Sequence, residues 1–445
     1  MRRTCVLLLL MPFSLTAKAD DLLSLYQRAV EASPALNGSE YALEVAKAQE
    51  DQAFGKLLPQ VNLMGNYSLN EFHSNGSTLS PEVSSSYPGI RANISLQQPL
   101  FDLQAYLLMK SQQSRTSQGE ESLLAAHQQL IADLIERYVD ALEAADKSEI
   151  IAAELASTEQ QLSRVRAMQA RQMAMVTDLY ELEARTETLR TELLDSDNDA
   201  RIALEKLREL TGSPVTGLQP ARLDAVQPAP EGKVETWVQQ AGQLNPELQA
   251  LRHAVESANQ RILAYQAGHL PRIELQLSET YSDTSFNNRQ SPAFDIGTAA
   301  VQATLPIYEG GATSARVREA EARKRLSEAE LEEKLRELEK LTRAAYLDMA
   351  TSPARCQATD RQLSASEKSR DAMKKGYGLG VVTIVDLLDA EKRLSEARRV
   401  QRQARYRYFK ARSTLFYQAG RLIATELLLF NRWLVSAGPS AIKAR

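Results

Sequence analysis

Cysteine is nearly absent: two occur in 445 residues. Cys5 falls in an N-terminal segment that reads as a removable leader, so Cys356 is left alone and no intramolecular disulfide can form. Histidine is equally sparse. His73, His127, His253 and His269 show no ligand spacing, and no conspicuous His/Cys cluster suggests zinc. Long apolar runs are missing beyond the leader, where Leu427–Phe430 is typical of the longest, so no transmembrane helix is expected. Basic charge is not in excess either. A formal net charge of −4, from 53 Lys and Arg against 57 Asp and Glu, lacks the footprint of a nucleic-acid binder. No nucleophile–base motif of an enzyme family is present. The glycines of Gly376-Tyr-Gly-Leu-Gly380 lack phosphate-loop spacing and follow a helical stretch rather than a strand. Neither enzymatic activity nor a metal or cofactor is expected.

The start of the chain indicates a compartment. Arg2 and Arg3 precede an apolar run from Val6 to Leu15, and Ala17-Lys-Ala19 offers small residues for cleavage. Residues 1–19 therefore read as a secretory signal peptide. Cleavage removes Arg2, Arg3 and Lys18 and no acid, which takes the net charge from −4 to −7. Cys5 precedes the apolar run instead of following it, so a lipid anchor is not expected. An exported chain without a transmembrane helix can enter a membrane only as a β-barrel.

What the chain does have is a long internal echo, about 210 residues apart. Pro34-Ala-Leu36 is followed by Leu58-Pro59-Gln-Val61, and Pro246-Glu-Leu248 by Leu270-Pro271-Arg-Ile273 at the same interval. Gln98-Pro99-Leu-Phe-Asp102 recurs as Leu305-Pro306-Ile-Tyr-Glu309, and Met175-Val-Thr-Asp-Leu179 as Val381-Val-Thr-Ile-Val385. A copy that includes turns as well as elements is a structural repeat. The expected organisation is a first repeat over 20–212, a Pro-rich linker over 213–233, a second repeat over 234–419 and a tail over 420–445. Linker and tail could add structure around the middle of the assembly.

Each repeat contains one very long helical stretch. Asp102 to about Ala170 has no proline and only Gly119, while Glu309 to about Lys375 has glycines only at its start and Pro353 as its one proline. Rods of this size are about 100 Å long at 1.5 Å per residue. In the last helical stretch Ala390, Leu394, Ala397, Gln401, Ala404, Tyr408, Ala411 and Leu415 form a sustained heptad seam, and its alanines allow close helix approach. Runs such as Glu328 to Arg343 read as solvated faces carrying i,i+4 pairs.

Between the helices lie two strand–loop–strand units. Residues 60–69 and 90–100 flank a Ser-, Asn- and Gly-rich loop over 70–89, and residues 273–281 and 294–305 flank a polar loop over 282–292. Strands of about 10 residues match a tilted bilayer crossing. Four strands cannot close a barrel, and an open sheet in lipid leaves unsatisfied edges. Three copies give 12 strands. The competing reading is a soluble helical bundle with two small hairpins.

Tyr377-Gly-Leu-Gly380 leading into Thr383-Ile-Val-Asp-Leu-Leu-Asp-Ala390 resembles the signature of TolC-like outer-membrane factors, as do Leu58-Pro59, Leu270-Pro271 and Pro306-Ile-Tyr-Glu-Gly310. The resemblance covers essentially the whole mature chain. It implies a mainly α chain with a β membrane part: coiled-coil helices forming a periplasmic α-barrel, and four strands contributing to a 12-stranded outer-membrane barrel of a homotrimer. It also implies an inner-membrane ABC transporter, a periplasmic adaptor (membrane fusion) protein, outer-membrane lipid and an exported protein cargo as partners, with no nucleic acid. The member most similar in sequence serves a type I secretion system that exports an alkaline metalloprotease. Type I secretion is the expected function, with multidrug efflux as the alternative and a purely structural or adhesive coiled-coil protein as a more distant one. By the same resemblance Thr177, Asp178, Asp386 and Asp389, with Tyr377, belong to a periplasmic gate. Two readings of the residues stand. Asp386 and Asp389 share a helix face and could ring an aperture in three copies, while Thr383-x-x-Asp386 also fits a capping box. Tyr377 fits either the gate or an interhelical packing role. Where the family archetype has an arginine that locks to an aspartate, this chain has Val382, so that lock cannot form.

Overall fold

The computed structural model describes residues 20–74, 83–215, 217–221, 228–284 and 293–432; the leader 1–19, the two loop tips, part of the linker and the end of the tail lie outside them. The described elements are α1 (Leu22–Ala32), α2 (Pro34–Gly55), β1 (Gln60–Ser74), β2 (Val83–Phe101), α3 (Leu103–Gln169), α4 (Val176–Thr211), α5 (Val234–Leu244), α6 (Pro246–Ala267), β3 (Arg272–Thr284), β4 (Phe294–Thr304), α7 (Ala312–Gly378), α8 (Ile384–Gln418) and α9 (Ala424–Asn431). α3 and α7 are each 67 residues long. Pro353 lies inside α7 without ending it, and its missing N–H deprives the Met349 carbonyl of its usual i+4 donor. The chain divides into two compact units, one of residues 38–124 and 246–336, the other of the remainder.

The first of these units holds one antiparallel sheet in the order β1-β2-β3-β4. Its register sorts side chains by face, since successive residues of a strand point to opposite sides. Leu63 pairs with Ile94, Leu96 with Leu277, and Leu275 with Val301, which gives one apolar face. Asn62, Ser95, Gln276 and Thr280 fall on the other. There Asn93 Nδ2 donates to Thr280 Oγ1 at 2.7 Å, and Gln276 Nε2 donates to Gln302 Oε1 at 2.9 Å. The strands run further than their composition predicts. β1 continues to Ser74 and β2 starts at Val83, so most of the expected 70–89 loop is ladder, and β3 extends to Thr284. Polar residues such as Ser84, Ser85 and Ser86 look like loop but keep the backbone pairing of β1. Pro99 lies at a register shift between β2 and β3, where a ladder hydrogen bond is already interrupted.

Helices α3 and α6 meet in this unit through small residues. The Ser111 hydroxyl donates to the Ser257 carbonyl and the Ser257 hydroxyl to the Ser111 carbonyl, both at 2.9 Å.

The core of the second unit gathers α1, the middle of α3, the ends of α4 and α8, α5, α9 and the linker. Tyr138, Tyr406 and Leu415 are fully buried in it. Linker residues Val215 and Leu218 and α9 residues Leu427 and Phe430 enter the same core. The Tyr138 hydroxyl donates to Gln219 O at 2.9 Å and that of Tyr408 to Pro228 O at 3.1 Å. Trp237 packs edge-on to Phe416, with the Arg421 guanidinium over both rings. The heptad seam is buried from Ala390 to Leu415 except at Gln401, which donates to Asp360 Oδ1 at 2.9 Å.

The duplication extends to how helices end. Gly212 caps α4 at φ 65°, and a Cβ there would lie 2.7 Å from Ala32 at the end of α1. Gly420 follows α8 at φ 67°, and a Cβ there would lie 2.4 Å from the Leu244 carbonyl at the end of α5. Left-handed backbone and close approach both require glycine. Gly420→Ala should lower stability by about 2 kcal/mol or more, read as a lower denaturant midpoint with unchanged slope; a midpoint within error of wild type would contradict this packing.

Candidate functional site

The predicted site residues lie where α3 turns into α4 and α7 into α8. Both turns use the same backbone hydrogen bonds. Met173 N donates to Met168 O and Val381 N to Gly376 O, each at 2.9 Å; Gln172 N donates to Gln169 O at 2.8 Å and Gly380 N to Tyr377 O at 3.0 Å. This is the Schellman closure, with one left-handed residue after the helix. Gly380 holds it at φ 72°, while Gln172 holds it at φ 59° with a full side chain.

These bonds align Val176 with Ile384 and Asp178 with Asp386, which corrects the echo read from the sequence. The Val-Thr pairs do not correspond. Thr383 is the N-cap of α8, whereas Thr177 is exposed in the first turn of α4, whose N-cap is Met175 and makes no side-chain bond. The identical dipeptides lie two residues out of step, because side-chain identity does not report a residue's place in a helix turn.

The α8 start is a complete capping box. The Thr383 amide donates to Asp386 Oδ2 at 3.0 Å, the Thr383 hydroxyl donates to the same oxygen at 2.7 Å, and the Asp386 amide donates to Thr383 Oγ1 at 3.2 Å. The hydroxyl and then the amide of Thr383 hold the Asp386 carboxyl below its ordinary value. Asp386 is nonetheless exposed, as is Asp389 one turn on.

Tyr377 is half-buried against a small cluster built on Val165, Leu182, Ile384 and Leu387, so four helix ends share one apolar patch. Burial, and then the charge of Asp178, push its hydroxyl pKa up. The structure thus brings Tyr377 near Asp178, and Thr383 onto Asp386. Val382 folds back instead: a Cβ on Gly376 would lie 3.2 Å from its methyl.

One feature of this region was not anticipated. Gln161 of α3 donates to Glu391 Oε1 of α8 at 2.6 Å, and Glu391 is only 7% exposed. Its Oε2 is buried without a hydrogen-bond partner among the described residues. Burial raises the Glu391 pKa, opposed by the Gln161 hydrogen bond and the charges of Arg370 and Lys374 and reinforced by Glu154. Its place beside Ala390 on the heptad seam was the available signal. Because the folded pKa lies above the unfolded one, ionisation of Glu391 costs stability increasingly as pH rises between the two values. Glu391→Gln keeps the acceptor for Gln161 and removes the charge. It should raise the unfolding midpoint at pH 7 and leave it unchanged below about pH 4; a lower midpoint at pH 7 would contradict the assignment.

Among the described residues no group of three or more His, Cys, Asp or Glu is placed to hold a metal, and no helix is long and apolar enough to cross a membrane. A sheet with one apolar and one polar face, in a chain of such helices, defines a subunit of a membrane channel that uses strands to cross the bilayer. The family profile described as outer membrane efflux protein matches residues 25–213 and 237–421, and the chain belongs to that family.

The chain is 28% identical over 353 residues to the alkaline protease secretion protein AprF of Pseudomonas aeruginosa, covering 79% of this chain and 73% of that one. It is 28% identical over 453 residues to the proteases secretion protein PrtF of Dickeya chrysanthemi, covering 98% and 96%. It is 27% identical over 432 residues to the outer membrane protein TolC of Vibrio cholerae, covering 94% of each. The fold is shared with the Campylobacter jejuni CmeC outer membrane channel at a TM-score of 0.81 and 14% identity, covering 93% of this chain and 90% of that one. TolC-family channels are non-enzymatic outer-membrane ducts with a long periplasmic helical tunnel; they form trimers and work with periplasmic adaptors and inner-membrane transporters. The chain is an efflux or secretion channel of this kind.

Proposed function

We propose that the protein is the outer-membrane duct of a type I secretion system that exports a protein, an alkaline metalloprotease, with an ABC transporter and a periplasmic adaptor. The observation that carries this reading is the similarity to AprF and PrtF, both named for protease secretion, with PrtF matched over nearly its full length. A multidrug efflux role is the second reading, favoured by the efflux description of the family profile. A strain lacking the gene separates them. Loss of secreted protease with unchanged drug susceptibility supports the secretion duct; normal secretion with raised susceptibility overturns it.

The two helix turns are proposed as the periplasmic gate, with Asp178, Asp386 and Asp389 supplying carboxylates and Thr177 and Tyr377 adjoining contacts. Threefold repetition brings three copies of each around one axis, and rings of carboxylates attract and hold cations. Asp386 and Asp389 are both exposed, which suits this role, and the capping of α8 by Asp386 is compatible with it. With Val382 in place of an arginine, closure rests on Tyr377 and other contacts or is looser. Asp386→Ala combined with Asp389→Ala should alter single-channel conductance and weaken block by divalent cations. Unchanged conductance and block would remove these residues from the pore.

A further inference from the structure

The unit of residues 38–124 and 246–336 contains a groove of about 390 Å³ between α3, α6 and α7. Each helix sends one arginine into it: Arg115, Arg261 and Arg323, with Gln118 and Tyr265 adding neutral polar groups. Its only carboxylate is Glu319, which Arg323 engages at 2.8 Å. One groove between α3, α4 and α8 in the other unit is differently composed. There four bases (Lys147, Arg185, Lys392, Arg399) meet four acids (Glu154, Glu192, Asp195, Glu396). A second groove of that unit has five bases against three acids, but there Lys410 is paired with Asp140 and Glu143, and Arg402 with Asp146.

The Arg115 guanidinium, at the solvent-open rim of the groove, is pushed below its ordinary value by partial desolvation and by the charges of Arg261 and Arg323. Both charges that act on it, Arg261 and Arg323, oppose it, and the groove's carboxylate Glu319 is engaged by Arg323. Arginine cannot relieve such repulsion by losing its proton at physiological pH. What does relieve it is an anion with several acceptor oxygens, since guanidinium forks pair with such groups through two parallel hydrogen bonds.

We infer that this groove binds a phosphate-class oxyanion, held by Arg115, Arg261 and Arg323. Two sources present that chemistry, free inorganic phosphate and a phosphoryl lipid headgroup. Arg115 lies about a dozen residues into α3, roughly 18 Å along the helix from its junction with the sheet. The headgroup layer of a bilayer is only about 5–8 Å deep on each side, so the free anion is the assigned ligand.

The test uses the full assembly purified in phosphate-free buffer, with thermal midpoints recorded during titration with inorganic phosphate at constant ionic strength. A saturable rise is expected. Arg261→Gln and Arg115→Gln should each weaken the apparent affinity about tenfold or more, with an unchanged helical circular-dichroism spectrum showing that each variant has folded. A second arm compares nanodiscs of zwitterionic lipid with discs containing phosphatidylglycerol, without free phosphate. A response to phosphate that the variants lose supports the site. An arginine-dependent response confined to the anionic discs overturns the free-anion assignment in favour of a headgroup. No response, or one equal in wild type and both variants, overturns the site.

Discussion

The backbone groups along the outer edges of β1 and β4 are the constraint on which the architecture depends. The sheet pairs β1 with β2, β2 with β3 and β3 with β4, and among the described residues nothing pairs with the outer edge of β1 or of β4. In lipid each unpaired amide or carbonyl costs several kcal/mol. A chain with an apolar sheet face and two open edges is incomplete by itself, and closure by further copies removes the cost. The family solution, a trimer, brings the strands to a number that encloses a wet lumen. The polar face, with Asn93 bonded to Thr280 and Gln276 to Gln302, is the face suited to that lumen.

Around this constraint the chain repeats one backbone plan with different chemistry in each half. Gly212 and Gly420 end equivalent helices and press against Ala32 and Leu244. The turns before α4 and α8 share their hydrogen bonds, yet Gln172 occupies the left-handed position that Gly380 fills without a side chain. The α8 start has a capping box, whereas the α4 start has only Met175 and the nearby charge of Asp178. The second-half turn is therefore the more firmly defined. A gate built from both need not respond symmetrically, because the same helix ends carry unequal local stability.

Much of the fold was legible in the sequence because its signals are long. A heptad seam from Ala390 to Leu415 and stretches almost free of glycine and proline leave little choice but extended helices. Strand limits were less legible, since serines 84–86 read as loop while pairing across the ladder with Glu71, Phe72 and His73 decides otherwise. At the candidate site the capping box of Thr383 and Asp386 was visible from spacing alone. The true alignment of the two turns was not, because it is fixed by backbone hydrogen bonds that a repeated Val-Thr does not report. Contacts between distant residues, such as Gln161 with Glu391 or the arginines of α3, α6 and α7, emerge only when helices are placed side by side.

The claim that the open sheet is completed by copies of the same chain is tested most directly by the mass of the detergent-solubilised assembly in native mass spectrometry. Three chains per particle is the predicted result. A stable particle of one chain, or of any number other than three, would contradict the account.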